Sequence, residues 1–514
     1  MEGLQDLKSL IRPGDWMTSL DIRDAYFHIP IHPSFRKLLR FQFQSRLWEF
    51  QVCPFGLNCI PRAFTKITKP IIAVIRSQGI RIIIYLDDIL ILGTSAQECR
   101  DNLKFVIDLL TSLGFLLNWE KSQLIPTQKI TFLGMVIDSL LLTFSLPEEK
   151  VKNLVQICSS LQGSQQISLR QLARVLGKMT ASVLAVLPAP LYYRALQTLL
   201  NDSRTQGLSW EDKVTLPQEA RQELLVWSQC LSQWNGKVFV NPQGPILTIT
   251  SDASLQGWGA ACESNRTGGR WSLSESKLHI NELELKAAFF ALQCFAASKK
   301  NSHVHLRIDN TSAVAYINHQ GGCKSLTLCK TALELWKWSL ARGLTISAEH
   351  IPGVQNEEAD TASRVFQDTT EWSLHPDLFR LASRQLGFLP EVDLFASRLN
   401  TKLPKFCSWK PDPLAWKVDA FTWPWNGMKV YIFPPVCLLS RCLAKVRQDK
   451  AQAMVIAPFW PSQPWFPLLK ELATGEPFPL PVDKFSLSLP GSQTETHPLW
   501  RTLKLTAWAV SGRR

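Results

Sequence analysis

The stretch from Arg81 to Leu92 constrains the fold more than any other, because two adjacent carboxylates interrupt a long apolar run. Asp87 and Asp88 lie between two aliphatic segments with the length and β-branched content of buried strands. This pattern predicts a β-hairpin with both aspartates at its turn. A tight polar turn is the simpler interpretation, but two-residue hairpin turns favour Asn-Gly or Asp-Gly, and Asp-Asp suits them poorly.

Neighbouring carboxylates among apolar strands repel each other, and one tends to bind a proton unless a cation compensates. Magnesium is a hard cation that binds carboxylate oxygens. Asp21 is a candidate third ligand, because the Thr18–Ser19–Leu20 segment before it is typical of a strand that ends at the aspartate. A site with two metal ions needs such a third carboxylate. We therefore predict a magnesium site at Asp21, Asp87 and Asp88.

Length and composition bound the remaining possibilities. A chain of 514 residues is too long for one core and predicts about three domains of ~150 residues. Its net charge of +13 indicates a polyanionic partner such as nucleic acid, although a merely basic soluble protein would show it too. The twelve cysteines form no Cys-x-x-Cys pair, and no signal segment or long apolar run is present. We expect reduced thiols and a soluble protein of the cytoplasm or nucleus that does not contact membranes.

The order of motifs in residues 1–146 resembles the palm of a reverse transcriptase. The resemblance rests on five motifs in family order: L-D-I-R-D-A-Y-F from Leu20, P-F-G-L-N-C-I-P-R-A-F from Pro54, Y-L-D-D from Tyr85, W-E-K-S from Trp119, and F-L-G from Phe132. It implies an antiparallel sheet with helices, and a reaction in which two Mg²⁺ ions (Mn²⁺ as an alternative) assist transfer of a nucleotide to a primer. The implied partners are an RNA template, a DNA primer and deoxynucleoside triphosphates.

The resemblance also implies roles for individual residues. Asp21, Asp87 and Asp88 would bind the metal ions, and Tyr26 would stack under the incoming sugar and exclude a 2′-hydroxyl, unless it is only a core aromatic. Phe55 and Gly56 would line the nucleotide pocket, where glycine allows close backbone approach. Lys121 would donate a proton to the departing pyrophosphate; otherwise it is a solvated surface charge.

Members of this family have a fingers subdomain before the first carboxylate motif, whereas about twenty residues precede Asp21 here. The resemblance thus implies a chain truncated before the fingers, in which the residues of the palm chemistry are present and the nucleotide clamp is missing. Residues 147–243 follow with recurrent helical patterns, at Val151–Leu161, Leu169–Val186, Leu191–Leu200 and Gln218–Trp234. In a reverse transcriptase, a helical thumb and connection that follow the duplex occupy this place. An ordinary helical spacer is an equally good interpretation.

Residues 244–365 change to strand–helix alternation, with acids at the ends of successive elements. Strand ends are where α/β folds build sites, although any single acid could be a turn or surface charge. The pattern resembles the RNase H domain of retroelements, whose four carboxylates it reproduces in order as Asp252, Glu284, Asp309 and Asp360. They would hold two metal ions that activate water to cut the RNA strand of an RNA–DNA hybrid. Glu282 is the competing helix carboxylate, and His350 is either a proton-shuttling residue or a strand-end packing residue.

Composition shifts again after residue 366, where about half of the nineteen tryptophans and thirty-one prolines fall. Such aromatic density indicates an ordered module rather than disorder. Predicted strands at Val392–Ser397, Val430–Val436 and Ala453–Pro458, with a helix between the last two, resemble the adenine-methyltransferase-like module of DIRS-type retrotransposons. Residues 366–384 would be a linker and 385–514 the module. Its loop reads Phe433-Pro434-Pro435-Val436. Active relatives have a polar residue at the first of these positions and an aromatic residue at the fourth, where this chain has phenylalanine and valine. We expect a degenerate, structural or nucleic-acid-binding module.

The whole chain therefore resembles the polymerase–RNase H protein of a DIRS-type retroelement, a class that also encodes a tyrosine recombinase, whose residues are not visible here. The expected fold is multidomain, α/β and α+β. Three hypotheses remain: an RNA-directed DNA polymerase with RNase H activity, a nuclease that no longer polymerises, or a non-enzymatic nucleic-acid-binding remnant.

Overall fold

The computed structural model describes residues 2–238, 247–366, 371–481, 483–489 and 496–513. The chain is mixed α/β and separates into two compact units, Met1–Pro242 and Gln243–Arg514. The predicted boundary at 243/244 lies outside the described residues. Within the ranges described, no helix is both long and apolar enough to cross a lipid bilayer.

The first unit contains eight α-helices and twelve strands among its described residues. The helices are α1 (Leu4–Leu10), α2 (Pro33–Arg36), α3 (Ile60–Ser77), α4 (Ala96–Ser112), α5 (Glu148–Gln162), α6 (Leu169–Ala181), α7 (Arg194–Thr205) and α8 (Gln218–Trp234). The strands are β1 (Trp16–Asp21), β2 (Arg40–Phe43), β3 (Arg46–Glu49), β4 (Arg81–Tyr85), β5 (Asp88–Gly93), β6 (Gln123–Thr127), β7 (Lys129–Phe132), β8 (Met135–Asp138), β9 (Thr143–Ser145), β10 (Gln166–Ser168), β11 (Lys213–Thr215) and β12 (Lys237–Val238).

The predicted hairpin forms the centre of an antiparallel sheet with the order β4-β5-β1-β6. Side chains on its two faces belong to different cores: Ile82 and Ile89 pack with α3 and α4, and Ile83 and Leu90 pack with α1 and the β7–β9 sheet. Strands buried on both faces read as continuous apolar runs. This explains why the aliphatic residues around the aspartates do not alternate with polar ones.

The turn differs from the prediction by one residue. Tyr85 pairs with Asp88, so the two turn residues are Leu86 and Asp87, and Asp88 opens β5. Leu86 has a φ of +56°, a conformation that L-residues other than Asn and Asp rarely adopt. The prediction that both aspartates occupy the turn was therefore wrong, and Asp88 is fixed by the strand ladder instead.

Helices α5 to α8 of the first unit form where the apolar periodicity predicted helices, and they pack around the fully buried Trp227. The third predicted helix begins later than expected. A 3-10 turn (Ala189–Tyr192) precedes α7, whose N-terminus is capped by Glu223 of α8 through the backbone N–H groups of Ala195 and Leu196 (2.9 and 3.0 Å). The second predicted helix ends at Ala181 rather than Val186.

In its described residues the second unit contains seven α-helices and fourteen strands. The helices are α9 (Ile280–Phe295), α10 (Thr311–Asn318), α11 (Leu326–Leu340), α12 (Glu357–Arg364), α13 (Pro376–Gln385), α14 (Leu439–Gln448) and α15 (Phe466–Leu472). The strands are β13 (Leu247–Ala253), β14 (Gly257–Cys262), β15 (Asn265–Arg270), β16 (His303–Ile308), β17 (Thr345–His350), β18 (Ser373–Leu374), β19 (Val392–Asp393), β20 (Cys407–Ser408), β21 (Lys417–Val418), β22 (Lys429–Ile432), β23 (Gln452–Pro458), β24 (Phe478–Pro479), β25 (Leu487–Ser488) and β26 (Leu505–Ser511).

Two five-stranded sheets organise this unit. The first has the order β15-β14-β13-β16-β17, with β13, β16 and β17 parallel. Helix α12 lies so close to β14 that a β-carbon at Gly259 would come within 2.0 Å of the carbonyl oxygen of Ala359. Glycine is required at that position because nothing larger fits between strand and helix.

The second sheet has the order β19-β22-β23-β26-β24, with β19, β22 and β23 parallel and α14 connecting β22 to β23. The strand predicted over Val430–Val436 ends at Ile432, because Pro434 and Pro435 have no N–H to donate to a ladder. Residues 366–384, which were expected to be a linker, contain β18 and most of α13. Residues 367–370 of this segment lie outside the described ranges.

Candidate active sites

The first group of interest is the hairpin carboxylates, Asp21, Asp87 and Asp88. Asp21 ends β1 and lies directly opposite Asp88 in the antiparallel register, so their side chains leave the same face of the sheet. Asp87 is tied to the same strand, because its carbonyl accepts a hydrogen bond from the backbone N–H of Ile22 (2.9 Å). The backbone thus brings all three predicted residues to one end of the sheet.

The electrostatics of the hairpin carboxylates show mutual repulsion. Burial, followed by the charges of Asp87 and Asp21, raises the pKa of Asp88 to about 6. Burial also raises the pKa of Asp21, against the opposing influence of Lys121. These three carboxylates are farther apart than the ligands of a compact metal site. Among the described residues, their oxygen atoms do not all lie within 4.8 Å of one another.

The predicted nucleotide-pocket residues lie beside this group. Tyr26 lies in the 3-10 turn Ala25–His28, with its ring 5.0 Å from that of Phe55 and 5.9 Å from that of buried Phe64. Burial and the charge of Asp87 raise the pKa of Tyr26, so the phenol is close to the carboxylates. Phe55 is 59% exposed, and Gly56 has a φ of +99° with open space on its Cβ side. Tyr26 therefore packs partly in the core while facing an open, glycine-lined loop.

The turn that carries Lys121 is hydrogen-bonded to the end of β1. The backbone N–H of Asn118 donates to the carbonyl of Asp21 (2.8 Å), and the backbone N–H of Asp21 donates to the Ser122 hydroxyl (3.1 Å). The Asn118 side chain also hydrogen-bonds the Asp21 carboxylate. Sequence reasoning assigned no role to Asn118, which precedes the lysine motif, or to Ser122, which is its last residue. Lys121 itself is exposed and is the nearby cation for Asp21 and Asp88.

The second group is the acid quartet, Asp252, Glu284, Asp309 and Asp360. Parallel pairing of Ser251 with Ile308 brings the residues after them, Asp252 and Asp309, to the same edge of the sheet. Glu284 projects from α9, which packs on β13. The ligand atoms of Asp252, Glu284 and Asp309 all lie within 4.8 Å of one another. The structure therefore brings three of the four predicted acids into one cluster.

Glu284 is the most perturbed acid of the quartet. It is 5% exposed, and burial followed by the charges of Asp252 and Asp309 raises its pKa to about 9. One carboxylate oxygen, Oε2, is buried without a hydrogen-bond partner. A buried oxygen without a partner is costly unless a cation or proton satisfies it. The competing residue, Glu282, lies on the first turn of α9 and does not belong to the cluster.

Asp360 lies at the edge of the cluster rather than in it. Its Oδ1 accepts a hydrogen bond from Arg364 Nε (2.7 Å), one helical turn away on α12. Its charge contributes to the raised pKa values of Asp252 and Asp309. The side chain is therefore near both acids but turned toward a cation, as expected for a carboxylate that has three anionic neighbours.

His350 ends β17 and is exposed, and its Nε2 lies 3.1 Å from the carbonyl oxygen of Asp309. Its charge also lowers the pKa of the Asp309 carboxyl, although burial keeps that pKa raised overall. The alternative of a packed strand-end histidine does not fit an exposed ring. The role of His350 as a proton-shuttling residue stays a prediction.

Two polar residues that sequence reasoning missed hold the cluster in place. Ser363 donates a hydrogen bond to Asp252 Oδ2 (2.7 Å) from buried α12, and the Asn356 amide donates to the carbonyl of Ser251 (3.0 Å). The Asn356 amide oxygen is buried without a partner. The motif that contains Asp360 already includes both residues: Asn356 lies four residues before Asp360, and Ser363 lies three residues after it.

The tail sheet has a cavity of about 970 Å³ at the carboxyl ends of its parallel strands. The Phe433–Val436 loop lines it, and so do aromatic side chains from neighbouring loops, among them Trp372, Trp409, Phe395 and Phe421. The guanidinium of Arg441 lies 3.8 Å from the Phe421 ring centroid. Crevices at this edge of parallel sheets commonly bind ligands.

Residues 2–137 match the family model described as reverse transcriptase (RNA-dependent DNA polymerase). The enzymatic polyprotein of cauliflower mosaic virus (strain D/H) is 23% identical over 386 residues, covering 70% of this chain and 52% of the relative. That of figwort mosaic virus (strain DxS) is 22% identical over 390 residues, covering 71% and 53%. A foamy viral protease-reverse transcriptase solved with an RNA/DNA hybrid is 16% identical, with a TM-score of 0.43 and coverage of 72% of this chain and 48% of that chain.

This chain spans about half the length of the curated relatives it matches. The match over residues 2–137 includes all the hairpin carboxylates. Residues 2–137 thus form a region that matches the reverse transcriptase family, and the chain is similar to the enzymatic polyproteins of cauliflower mosaic virus and figwort mosaic virus.

Proposed function

We propose that this chain acts as a retroelement RNA-directed DNA polymerase with RNase H activity, and that the element is of DIRS type. The observation that supports the polymerase most strongly is the pairing of Asp21 with Asp88 inside the region that matches the reverse transcriptase family. The partners would be an RNA template, a DNA primer, their hybrid and deoxynucleoside triphosphates. Nucleic acid also fits the net charge of +13.

In the polymerase reaction, Asp21, Asp87 and Asp88 would hold two Mg²⁺ ions. Bound there, the ions would supply charge neutralisation for the triphosphate and a more acidic primer hydroxyl. The three carboxylates would bind the ions and orient them. Tyr26 and Phe55, whose rings lie 5.0 Å apart, would form the wall of the pocket against which the sugar of the incoming nucleotide packs. Lys121, exposed beside Asp21, is available to give a proton to the leaving pyrophosphate.

In the nuclease reaction, the acid quartet would hold the metal ions. All its donors are carboxylate oxygens, which suits Mg²⁺, and the unpartnered Oε2 of Glu284 supports a cation there. When bound, the ions would lower the pKa of a water that attacks the RNA phosphodiester. Ser363 keeps Asp252 oriented, and His350 is the candidate for moving a proton between the site and solvent.

Two assays on the purified chain with Mg²⁺ test the proposal. Primer extension on an RNA template should be abolished by Asp88→Asn, and cleavage of an RNA–DNA hybrid should be abolished by Asp309→Asn. Each variant serves as the control for the other, because neither substitution touches the other group. Hybrid cutting that survives Asp309→Asn would contradict the nuclease assignment, and extension that survives Asp88→Asn would contradict the polymerase assignment.

A second candidate is a nuclease that does not polymerise. The observation that favours it is the difference in compactness: in the described part of the chain, three acids of the quartet approach within 4.8 Å of one another, and the hairpin carboxylates form no such set. Hybrid cleavage without primer extension would support this candidate. Hybrid binding without either reaction would support a non-enzymatic role, in which the tail module binds nucleic acid with its aromatic cavity.

A further inference from the structure

Arg398 belongs to the tail by sequence, but its side chain is buried against the region that carries the acid quartet. The side chain is 8% exposed and forms an ion pair with Glu275 (Nη1 to Oε2, 2.8 Å), whose side chain is 12% exposed. Its other terminal nitrogen, Nη2, donates to the carbonyl of Arg270 at the end of β15 (2.7 Å). All of these residues lie in the second compact unit.

The same contacts reach α9, the helix that carries Glu284. The Arg398 guanidinium lies 4.7 Å from the ring centroid of Phe290 on α9. Glu275 joins Arg398 to Lys286, also on α9, at 3.4 Å. Phe290 in turn packs against Trp258 of β14, at 5.4 Å between centroids. Arg398 therefore contacts α9 directly at Phe290 and indirectly, through Glu275, at Lys286. These positions are six and two residues after Glu284.

The tail holds Arg398 firmly in this position. The backbone N–H of Arg398 donates to Oδ2 of Asp412 (3.0 Å), and the N–H of Ser397 donates to the Asn400 side chain (2.6 Å). Beside Asp412, the carbonyl of Pro411 accepts a hydrogen bond from Thr267 of β15. The segment of residues 397–412, which includes β20, is thus hydrogen-bonded at both ends, and these bonds hold the backbone that carries the guanidinium.

We propose that Arg398 is a positioning residue for the RNase H reaction: it holds α9 so that the Glu284 carboxylate remains on Asp252 and Asp309. Three carboxylates within 4.8 Å repel one another, and movement of α9 away from the sheet is the simplest way to relieve that repulsion. Such movement would separate Phe290 from the Arg398 guanidinium and Lys286 from Glu275, so both contacts oppose it. This inference rests on the proposed nuclease function and extends the nuclease into the tail.

The test measures divalent-ion binding as well as activity. In a full-length background with Asp21→Asn and Asp88→Asn, which silences the hairpin carboxylates, Mn²⁺ binding is followed by calorimetry for Arg398→Met and Arg398→Lys. Loss of a residue that orients metal ligands weakens affinity by about tenfold or more. We expect that loss for Arg398→Met, a matching rise in the Mg²⁺ needed for half-maximal hybrid cleavage, and partial recovery with Arg398→Lys.

The matched control is Arg380→Met, which removes an exposed tail arginine that pairs only locally with Asp377. A purely stabilising role of Arg398 would lower the melting temperature but leave the ion affinity of the folded protein unchanged, and that result would overturn the proposal. If Arg398→Met does not fold, Glu275→Gln provides the second test, because it removes the charge between Arg398 and Lys286 and should weaken Mn²⁺ binding in the same direction.

Failure of the proposed nuclease function can be distinguished from failure of the proposed role of Arg398. A wild-type chain that binds Mn²⁺ at the quartet but does not cut hybrid would refute the nuclease function while leaving the positioning role measurable. In that case, faster amide hydrogen exchange over residues 280–295 in Arg398→Met than in Arg380→Met would support the role of Arg398. Equal exchange rates together with equal Mn²⁺ affinity would refute it.

Discussion

Replacing Glu284 with glutamine should stabilise the metal-free protein while it abolishes hybrid cleavage. Glu284 is 5% exposed, and its pKa is raised from 4.5 to about 9. A carboxyl whose pKa is raised by folding favours the folded state at low pH, and this advantage is lost as the pH rises from 4.5 to 9. Glutamine carries no charge at any of these pH values, so Glu284→Gln does not lose stability in this way.

The size of the effect follows from the same pKa. Each pH unit between 4.5 and the pH of the experiment corresponds to about 1.36 kcal/mol. At pH 7.5 the variant should therefore exceed the wild type in free energy of unfolding by about 4 kcal/mol, and at pH 5 by less than about 1 kcal/mol. For a body of this size, 4 kcal/mol corresponds to a rise in melting temperature of roughly 10 °C.

The assay is thermal unfolding in EDTA at pH 5 and pH 7.5, with the second unit followed by hydrogen exchange over residues 280–295. Glu282→Gln is the matched control, because Glu282 lies on the same helix outside the acid cluster. Adding Mg²⁺ should stabilise the wild type and not Glu284→Gln. Equal stability of wild type and Glu284→Gln at both pH values in EDTA would refute the argument that repulsion and burial destabilise this site.

Three further predictions concern other parts of the chain. Burial raises the pKa of the helix-capping carboxyl of Glu223 to about 7, so the wild-type first unit should lose about 3 kcal/mol of unfolding free energy between pH 4.5 and 7. Denaturant unfolding of Glu223→Gln should not show this loss. Tyr26→Val should raise ribonucleotide incorporation in primer extension by about tenfold or more, since the ring would no longer exclude a 2′-hydroxyl. Gly259→Ala should destabilise the second unit by about 1–3 kcal/mol or more, because the new methyl would meet the carbonyl of Ala359. By contrast, Gly177→Ala in α6 should not destabilise the first unit, because the space on its Cβ side is open.

The sequence predicted the elements that carry the candidate sites better than it predicted their side-chain arrangement. The strand ending at Asp21 and the helix around Glu284 were predicted from the apolar pattern and are confirmed. The strand predicted to end at Asp252 is present and ends one residue later, at Ala253. The apolar pattern could not predict whether the Asp360 side chain joins the other acids, because its orientation depends on the hydrogen bond from Arg364, one helical turn away. The roles of all these acids stay predictions.

Errors in the predicted elements have local physical causes. The hairpin turn is shifted by one residue because Leu86 adopts a left-handed conformation that residue type alone disfavours. The contact between Arg398 and α9 was invisible for another reason. It joins residues more than a hundred positions apart, and no periodic pattern encodes such a contact. Local rules therefore predict where an acid enters the fold, and tertiary packing decides what surrounds it.

Both groups of carboxylates are held by neutral hydrogen bonds and by cations that remain at their edges. Asp252 is bound by the Ser363 hydroxyl and Asp21 by the Asn118 amide, while Lys121 and Arg364 lie toward solvent. Neutral partners orient an anion without cancelling its charge, so the metal-free protein retains protons on Asp88 and Glu284 well above the usual pKa of a carboxyl. A divalent ion that enters either group must displace those protons. Ion affinity at both sites should therefore rise with pH, and the rise should continue to higher pH at the acid quartet, because Glu284 releases its proton last.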